Sequence, residues 1–248
     1  MSGDGHLSVT QFKTYLRCPL QYFFRYGCGI KVPPTGDLVL GRSVHSALKE
    51  NYRQKLRTYE DLPLDDISDI FSASFDREAE SAAFEKNQNP GELKDKGIGL
   101  ISAYQKEVAP GVQPAAVEQE FLIETGATQL PLKGYIDLID DQGIIIDHKT
   151  SKKSYAADAA EKDLQLTAYA LAYRSIFGEP ENGVRLDVMV KNKTPKIQQL
   201  SGTRDDQQIK RFLRIAQEVE RGIGSGVYFP NESYMCRICG YGEMCEKW

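Results

Sequence analysis

Leu132-Lys-Gly-Tyr-Ile-Asp-Leu-Ile-Asp140, then Asp141-Gln-Gly143, then Ile144-Ile-Ile-Asp-His-Lys149: this stretch decides the fold. Two apolar runs rich in isoleucine flank a short turn that ends in glycine, which is the pattern of a β-hairpin. A three-residue loop of this kind suits a type I turn followed by a left-handed residue, the conformation glycine tolerates best. Such a loop pairs Asp140 with Ile144, and three steps outward it sets Asp137 opposite Asp147. Residues directly opposed in an antiparallel pair hold their Cβ atoms about 4.5–5.5 Å apart. Lys149 lies two positions beyond Asp147 and shares its face, because side chains alternate along a strand. One more residue in the turn would send Asp147 to the other face and dissolve the pair.

Two carboxylates opposed inside a sheet repel, and Ile136, Leu138, Ile145 and Ile146 imply burial around them, which makes the charges costlier. A divalent cation between them removes that cost. Carboxylate oxygens are the hard ligands Mg²⁺ or Mn²⁺ prefers. A lysine beside such a site can orient and help deprotonate a water, while a metal polarises a phosphodiester. An acidic-x-Lys triplet by itself arises by composition about once per hundred residues, so the triplet without the opposed Asp137 is uninformative. The side chain of His148 points away from Asp147 and reads as structural.

Outward from the hairpin the N-terminal part reads as helical. Ser8 caps a helix carrying Val9, Phe12, Tyr15 and Leu16, and Pro19 restarts the chain as a second helix through Phe23 and Phe24. Apolar spacing predicts further helices over 40–56, 65–86 and 93–108. After Pro114 the pattern changes to short turn-bounded runs, predicting strands over 117–124, 130–140 and 144–149. A helix over 156–177, strands over 185–191 and 197–201, and a helix over 205–223 follow. The implied architecture is one α/β domain, a central mixed sheet flanked by helices. It divides into a mainly helical part (1–113), a catalytic α/β core (114–223) and a Gly-rich, cysteine-bearing tail (224–248).

The chain has 248 residues, enough to bury a core without staples, and a net charge of −4. That charge argues against a broad basic surface coating duplex DNA. Lys149, Lys152 and Lys153 cluster along the sequence, as do Lys191, Lys193 and Lys196, and Arg204, Lys210, Arg211 and Arg214; a solvated face explains most such clusters. No apolar run is long enough to span a bilayer, and Met1–Gln11 lacks the design of a secretion signal, so the expected setting is intracellular and reducing, with no membrane partner. Five cysteines, at 18, 28, 236, 239 and 245, make a poor disulfide framework there. Ligation of a cofactor is the better reading, with zinc and iron–sulfur both open. Cys28 is expected to be a small buried residue, and it is the rival of Cys18 as a ligand. Tyr15, Tyr22, Phe23, Phe24 and Tyr26 suit core packing better than base stacking.

These residues resemble the PD-(D/E)xK nuclease superfamily, specifically its RecB-like branch. Gly134-Tyr-Ile-Asp137 and Asp147-His-Lys149-Thr150 resemble its second and third motifs, and Gln165-Leu-Thr-Ala-Tyr169 its Gln-x3-Tyr element. Upstream, Gly41-Arg-Ser-Val-His45 resembles its Gly-x3-His element. The resemblance implies a restriction-endonuclease-like core in which Asp137, Asp147, His45 and the main-chain carbonyl of His148 hold Mg²⁺ or Mn²⁺. Lys149 is then the catalytic lysine, and Gln165 and Tyr169 join the catalytic set. Glu120, on the preceding strand, is a lesser candidate for support. Without the family, His45 reads as a satisfied histidine beside an apolar stripe. Cys18-Pro near the start and Cys236-x2-Cys239-x5-Cys245 near the end are similar to the cysteines of iron–sulfur RecB-like nucleases. These include the AddB-type nuclease domain and the CRISPR-associated nucleases, and they imply a four-iron–four-sulfur (4Fe–4S) cluster clamping the tail. The implied activity is a metal-dependent DNA exonuclease acting on single strands or free ends, with a helicase or CRISPR integrase as partner. A non-catalytic DNA-binding or scaffolding subunit is the alternative, disfavoured because the acidic and lysine positions are all filled.

Overall fold

The computed structural model describes residues 5–248; Met1–Asp4, the start of the stretch read above for a secretion signal, lie outside the described residues. In chain order the elements are β1 (Leu7–Ser8), α1 (Val9–Arg17), α2 (Pro19–Tyr22), α3 (Gly36–Thr58), α4 (Leu64–Ala79), α5 (Pro90–Glu107), β2 (Pro114–Ile123), β3 (Leu132–Asp140), β4 (Ile144–Ser151), α6 (Ala159–Lys162), α7 (Leu164–Phe177), β5 (Gly183–Val190), β6 (Lys196–Gly202), α8 (Asp206–Gly224) and α9 (Gly242–Cys245). The chain sorts into two compact units. The larger comprises Pro34–Gln119 and Tyr135–Arg204, and the smaller Met1–Pro33, Glu120–Gly134 and Asp205–Trp248.

In the larger unit the sheet is mixed: β3 runs antiparallel to β4, β4 parallel to β5, and β5 antiparallel to β6. Helices flank it. Leu138, Ile146 and Met189 on one face pack into a core with Val39, Val44, Leu48, Phe71 and Leu100 of α3, α4 and α5; each such side chain, fully buried, contributes about 1.5–3 kcal/mol. α7 packs against β4 and β5. The long helix α3 begins where Thr35 accepts from the Leu38 amide at 3.3 Å, and it ends at Tyr59 in a left-handed conformation (φ 64°).

Two helix bounds differ from the sequence reading. The helix expected through Lys86 stops at Ala79, because Ala83 donates to the Pro34 carbonyl at 2.9 Å and the chain turns extended beside it. The helix expected over 156–177 breaks at Asp163, whose carboxylate accepts from the amides of Gln165 and Leu166 at 2.7 and 3.0 Å and so starts a new helix there. Among the described residues no helix is long and apolar enough to cross a membrane.

In the smaller unit Ser8 and Gln11 close a reciprocal capping box on α1, with bonds of 2.8 and 3.1 Å. Leu7 pairs in parallel with Leu132, a contact too short for sequence periodicity to show. Phe12 packs on Phe212 of α8 with ring centres 5.3 Å apart. Tyr15, Tyr22 and Phe24 are buried, so these rings build core, as expected. A π-helical turn, Phe23–Gly27, follows α2.

Candidate active site

The hairpin has the register its turn dictates. Leu138 pairs with Ile146 and Ile139 with Ile145, and continuing by one residue sets Asp137 against Asp147. Gly143 takes the left-handed conformation (φ 73°), and Asp140 holds the turn by accepting from the amides of Gln142 and Ile144 at 3.0 and 2.8 Å.

Asp147 is wholly buried, and neither of its oxygens accepts a hydrogen bond. The positive charge that meets it is the Lys149 ammonium, in ion-pair contact with Oδ2 but outside hydrogen-bond geometry. Burial pulls the Lys149 pKa down, but the charges of Asp147 and Asp137 prevail and raise it. Asp137 Oδ2 accepts from the His148 amide at 3.0 Å, and His45 Nδ1 stands 3.3 Å from the same oxygen. Burial pushes the Asp137 carboxyl up to about 6, aided by the neighbouring Asp147 charge and opposed by His45 and Lys149.

On the other side of the lysine, Lys149 Nζ donates to Gln165 Oε1 at 3.2 Å, and Gln165 Nε2 donates to the Tyr169 hydroxyl at 2.6 Å. One helical turn of α7 separates Gln165 from Tyr169. Burial, then the charges of Asp137 and Asp147, hold the Tyr169 phenol well above its ordinary range. His45, Asp137, Asp147, Lys149, Gln165 and Tyr169 therefore stand together in the larger unit. Arg204 does not belong to a basic surface cluster: it is buried, donating to the carbonyls of Ala160 and Asp163 at 2.6 and 3.0 Å and to Thr167 Oγ1 at 2.8 Å, and so anchors the start of α7.

Behind the site lies a buried polar network that sequence reasoning missed. The His148 ring lies parallel to Tyr52 with centres 5.9 Å apart, and its Nε2 is 3.1 Å from the Tyr104 hydroxyl. Tyr104 donates to Asp187 Oδ2 at 2.8 Å, and Arg185 grips the same carboxylate through bonds of 2.8 and 3.1 Å. The available signal was Asp187 itself, a lone acid in the apolar run Val184–Val190, since a buried charge needs a partner. Burial drives the His148 pKa well below its usual value. Glu120 is exposed and pairs with Lys133 at 2.9 Å in the smaller unit. It is Glu118, in a left-handed conformation (φ 52°), whose charge reaches Tyr169.

In the smaller unit Cys18, Cys239 and Cys245 pack against Leu20, Phe24 and Tyr241. Burial, then the charges of Cys18, Cys239 and Cys236, raises the Cys245 thiol pKa. Amide donors point at the other three sulfurs: Asn231 N lies 3.5 Å from Cys18 Sγ, Ser233 N 3.4 Å from Cys236 Sγ, and Gln21 Nε2 3.9 Å from Cys239 Sγ. Cys28 is exposed rather than buried, because the π-helical turn ends at its amide, which donates to the Phe23 carbonyl at 2.8 Å, and the chain leaves the core there. Among the described residues no three His, Cys, Asp or Glu side chains are already drawn into a ready-made ligand set.

Each donor set is nevertheless of the chemical type that the suggested group would take. Asp147 presents a buried oxygen with no partner at all beside a second carboxylate and an imidazole, the hard donors of a divalent cation. Amide donors aimed at thiol sulfurs suit thiolate ligands, whose charge such bonds stabilise.

No curated protein gives a significant match. A protein of Eubacterium rectale provisionally named an exonuclease has a similar fold, with a TM-score of 0.65 at 14% identity over 98% of this chain and 88% of that one. The solved structure called SSO0001 covers 96% of this chain and 95% of its own at 15% identity, but its TM-score of 0.40 is too low to support any conclusion. The sequence profile of the PD-(D/E)XK nuclease superfamily matches residues 6–246, nearly the whole chain, and the protein belongs to that superfamily.

Proposed function

We propose that this nuclease is a Mg²⁺- or Mn²⁺-dependent deoxyribonuclease that hydrolyses phosphodiester bonds of single-stranded DNA from free ends. The observation that carries the reading is the wholly buried Asp147 opposite Asp137, with the Lys149 ammonium in ion-pair contact with Asp147 and His45 3.3 Å from Asp137. Burying two carboxylates costs several kcal/mol, and the single Lys149 ammonium meets only Asp147; a cation between Asp137 and Asp147 would offset the rest. His45, Asp137 and Asp147 would hold the cation, with the main-chain carbonyl of His148 as a further oxygen. When bound, the cation supplies charge to polarise the phosphoryl oxygens and stabilise the leaving oxygen.

The protein's own groups do the rest. Asp137 is oriented by the His148 amide and by His45. Gln165, fixed by Tyr169, directs the Lys149 ammonium along the face it shares with Asp147. From there the Lys149 ammonium can donate a hydrogen bond that orients the attacking water and can neutralise the charge that develops on the phosphate. The four thiols Cys18, Cys236, Cys239 and Cys245 would hold a 4Fe–4S cluster whose role is to fasten the tail. A helicase or CRISPR integrase is the kind of partner that would deliver DNA ends.

The test is cleavage of end-labelled single strands of each polarity, with Mn²⁺ and with chelator. Metal-dependent shortening from one end is the expected result. Binding without cleavage in every metal would instead favour a scaffolding subunit.

A further inference from the structure

The two lysine clusters of the sequence become one surface feature in the fold. β4 leaves the sheet after Ser151, and Lys191 donates its amide to the Ser151 carbonyl at 2.8 Å. Val190 pairs with Ser151 on one side and with Lys196 on the other. Lys152, Lys153, Lys191, Lys193 and Lys196 therefore crowd one end of the sheet. Two carboxylates oppose them: Asp37, which meets Lys191 at 2.7 Å and Lys152 at 2.9 Å, and Glu85, whose charge reaches Lys152. Lys153, Lys193 and Lys196 are exposed, and among the described residues no acidic side chain pairs with them. In a chain of net charge −4 this is a local concentration of unpaired positive charge.

Helix α3 connects this rim to the active site. Asp37, Gly41 and His45 recur every four residues and so share a face. Asp37 holds two rim lysines, and His45 meets Asp137. Between them Gly41 has no side chain; a Cβ there would stand 3.3 Å from Thr150 Oγ1. Along β4, at about 3.3 Å per residue, the rim begins roughly 10 Å beyond Lys149. That places it within reach of the phosphates next to a scissile one.

We propose that this lysine rim binds the backbone phosphates of the single DNA strand that enters the site, with Asp37 as a built-in brake on its affinity. The inference rests on the nuclease reading and adds where the substrate lies. Phosphate contacts by lysine release counterions, so affinity falls with salt by a slope of about 0.7 per contact for single strands.

The experiment measures binding of a short labelled DNA strand by fluorescence anisotropy across a salt series, in chelator so that nothing is cut. The variant Lys153→Ala/Lys193→Ala/Lys196→Ala changes only exposed side chains and should fold. Its log Kd against log salt slope should drop by about 2, and affinity near 0.1 M salt should fall roughly 10- to 100-fold. Asp37→Asn should bind more tightly than wild type and with a steeper slope. A control that removes the same charge from α8, Lys210→Ala/Arg211→Ala/Arg214→Ala, should leave the slope as it was. A rim variant with the wild-type slope, or a control with an equal loss, overturns the rim. If wild-type protein neither binds nor cleaves the strand, the nuclease reading fails and takes the rim with it; if it cleaves normally and only the slopes disagree, the rim alone is wrong.

Discussion

The carboxylate site and the cysteine group contrast in how the chain holds them. Asp147 lies between paired strands and is wholly buried, and its position follows from a hairpin register fixed by one turn. The cysteines sit half-buried or exposed on one-turn helices and loops contributed by both ends of the chain. Sheet register is enforced by every backbone pair along the strands, so the first constellation is assembled before anything binds. Short loop segments with few buried contacts open easily, so the second would gain most from a ligand that holds its shape.

The largest expected effect strikes the preassembled site. Lys149→Ala should cut Mn²⁺-dependent cleavage by about 10²–10³-fold, the usual worth of a preorganised charge-stabilising donor, while the thermal transition remains cooperative. The core under β4 does not depend on this side chain, which interacts with Asp147 and Gln165. Normal cleavage by a folded, contaminant-free Lys149→Ala protein would break the comparison at its first term, because chemistry would then reside elsewhere.

The second effect tests the ligand-held region. Replacing any one of Cys18, Cys236, Cys239 or Cys245 by serine should remove iron and sulfide from anaerobically purified protein. It should also erase hydrogen-exchange protection over 224–248 while leaving α3 and α5 protected. Joining Cys18 to Cys236 closes nearly the whole chain, and by analogy with a long crosslink the lost stabilisation is about 3–5 kcal/mol. Cys28→Ser should keep the iron, since Cys28 lies on the exposed end of a π-helical turn. One zinc with no iron or sulfide would leave the clamp and change its metal.

The same contrast explains what the sequence could disclose. The turn Asp141-Gln-Gly143 is local, and counting outward from it is enough to oppose Asp137 and Asp147. The helix spacing that joins Gln165 to Tyr169 is equally local. Ser8 announced its cap for the same reason, while the reciprocal bond from Gln11 was not read. Hidden features depend on partners remote in sequence. Tyr52, Tyr104, His148 and Asp187 meet only after two helices and two strands have packed. Arg204, read as one of a basic group, is buried because its donors satisfy carbonyls more than 40 residues away. The helix break at Asp163 was visible in principle as a capping residue, but the good helix formers on both sides of it, Ala159–Lys162 and 164–166, masked the stop.

A pH series sharpens the cost of preassembly. Burial holds the Asp137 carboxyl at about 6, above its ordinary 3.8. The folded protein therefore binds more protons than the unfolded chain between these values, and its stability must fall as pH rises through that window. With about 1.4 kcal/mol per unit, chelator-treated protein should lose on the order of 3 kcal/mol between pH 4 and pH 6.5, relative to an Asp137→Asn variant. Added Mn²⁺ should abolish the slope, because cation binding displaces the proton. Denaturant titrations at each pH provide the measurement, and parallel slopes for wild type and Asp137→Asn would remove Asp137 as the titrating group.

The smallest effect concerns what keeps the buried site rigid from behind. An Asp187 carboxylate can only accept, so the Tyr104 proton goes to it across 2.8 Å. The Tyr104 oxygen is then left to accept, from Tyr52 at 3.0 Å and from His148 Nε2–H at 3.1 Å. Tyr104→Phe removes all three bonds with little change of shape. Asp187 keeps Arg185 and Gln199, with bonds of 2.8, 3.1 and 3.3 Å, so the damage falls on Tyr52 and His148. Leaving buried donors unmet costs about 1–3 kcal/mol, readable as a shifted denaturation midpoint. The His148 amide is also the group that orients Asp137, and loss of such outer support lowers metal affinity by about 10-fold or more. Calorimetry with Mn²⁺ should therefore show weaker binding in Tyr104→Phe, whereas a similarly destabilising core truncation on α4, Phe75→Leu, should bind Mn²⁺ as wild type does. Equal affinities in all three proteins would mean that the hairpin register alone positions Asp137, and that the network behind it serves only stability.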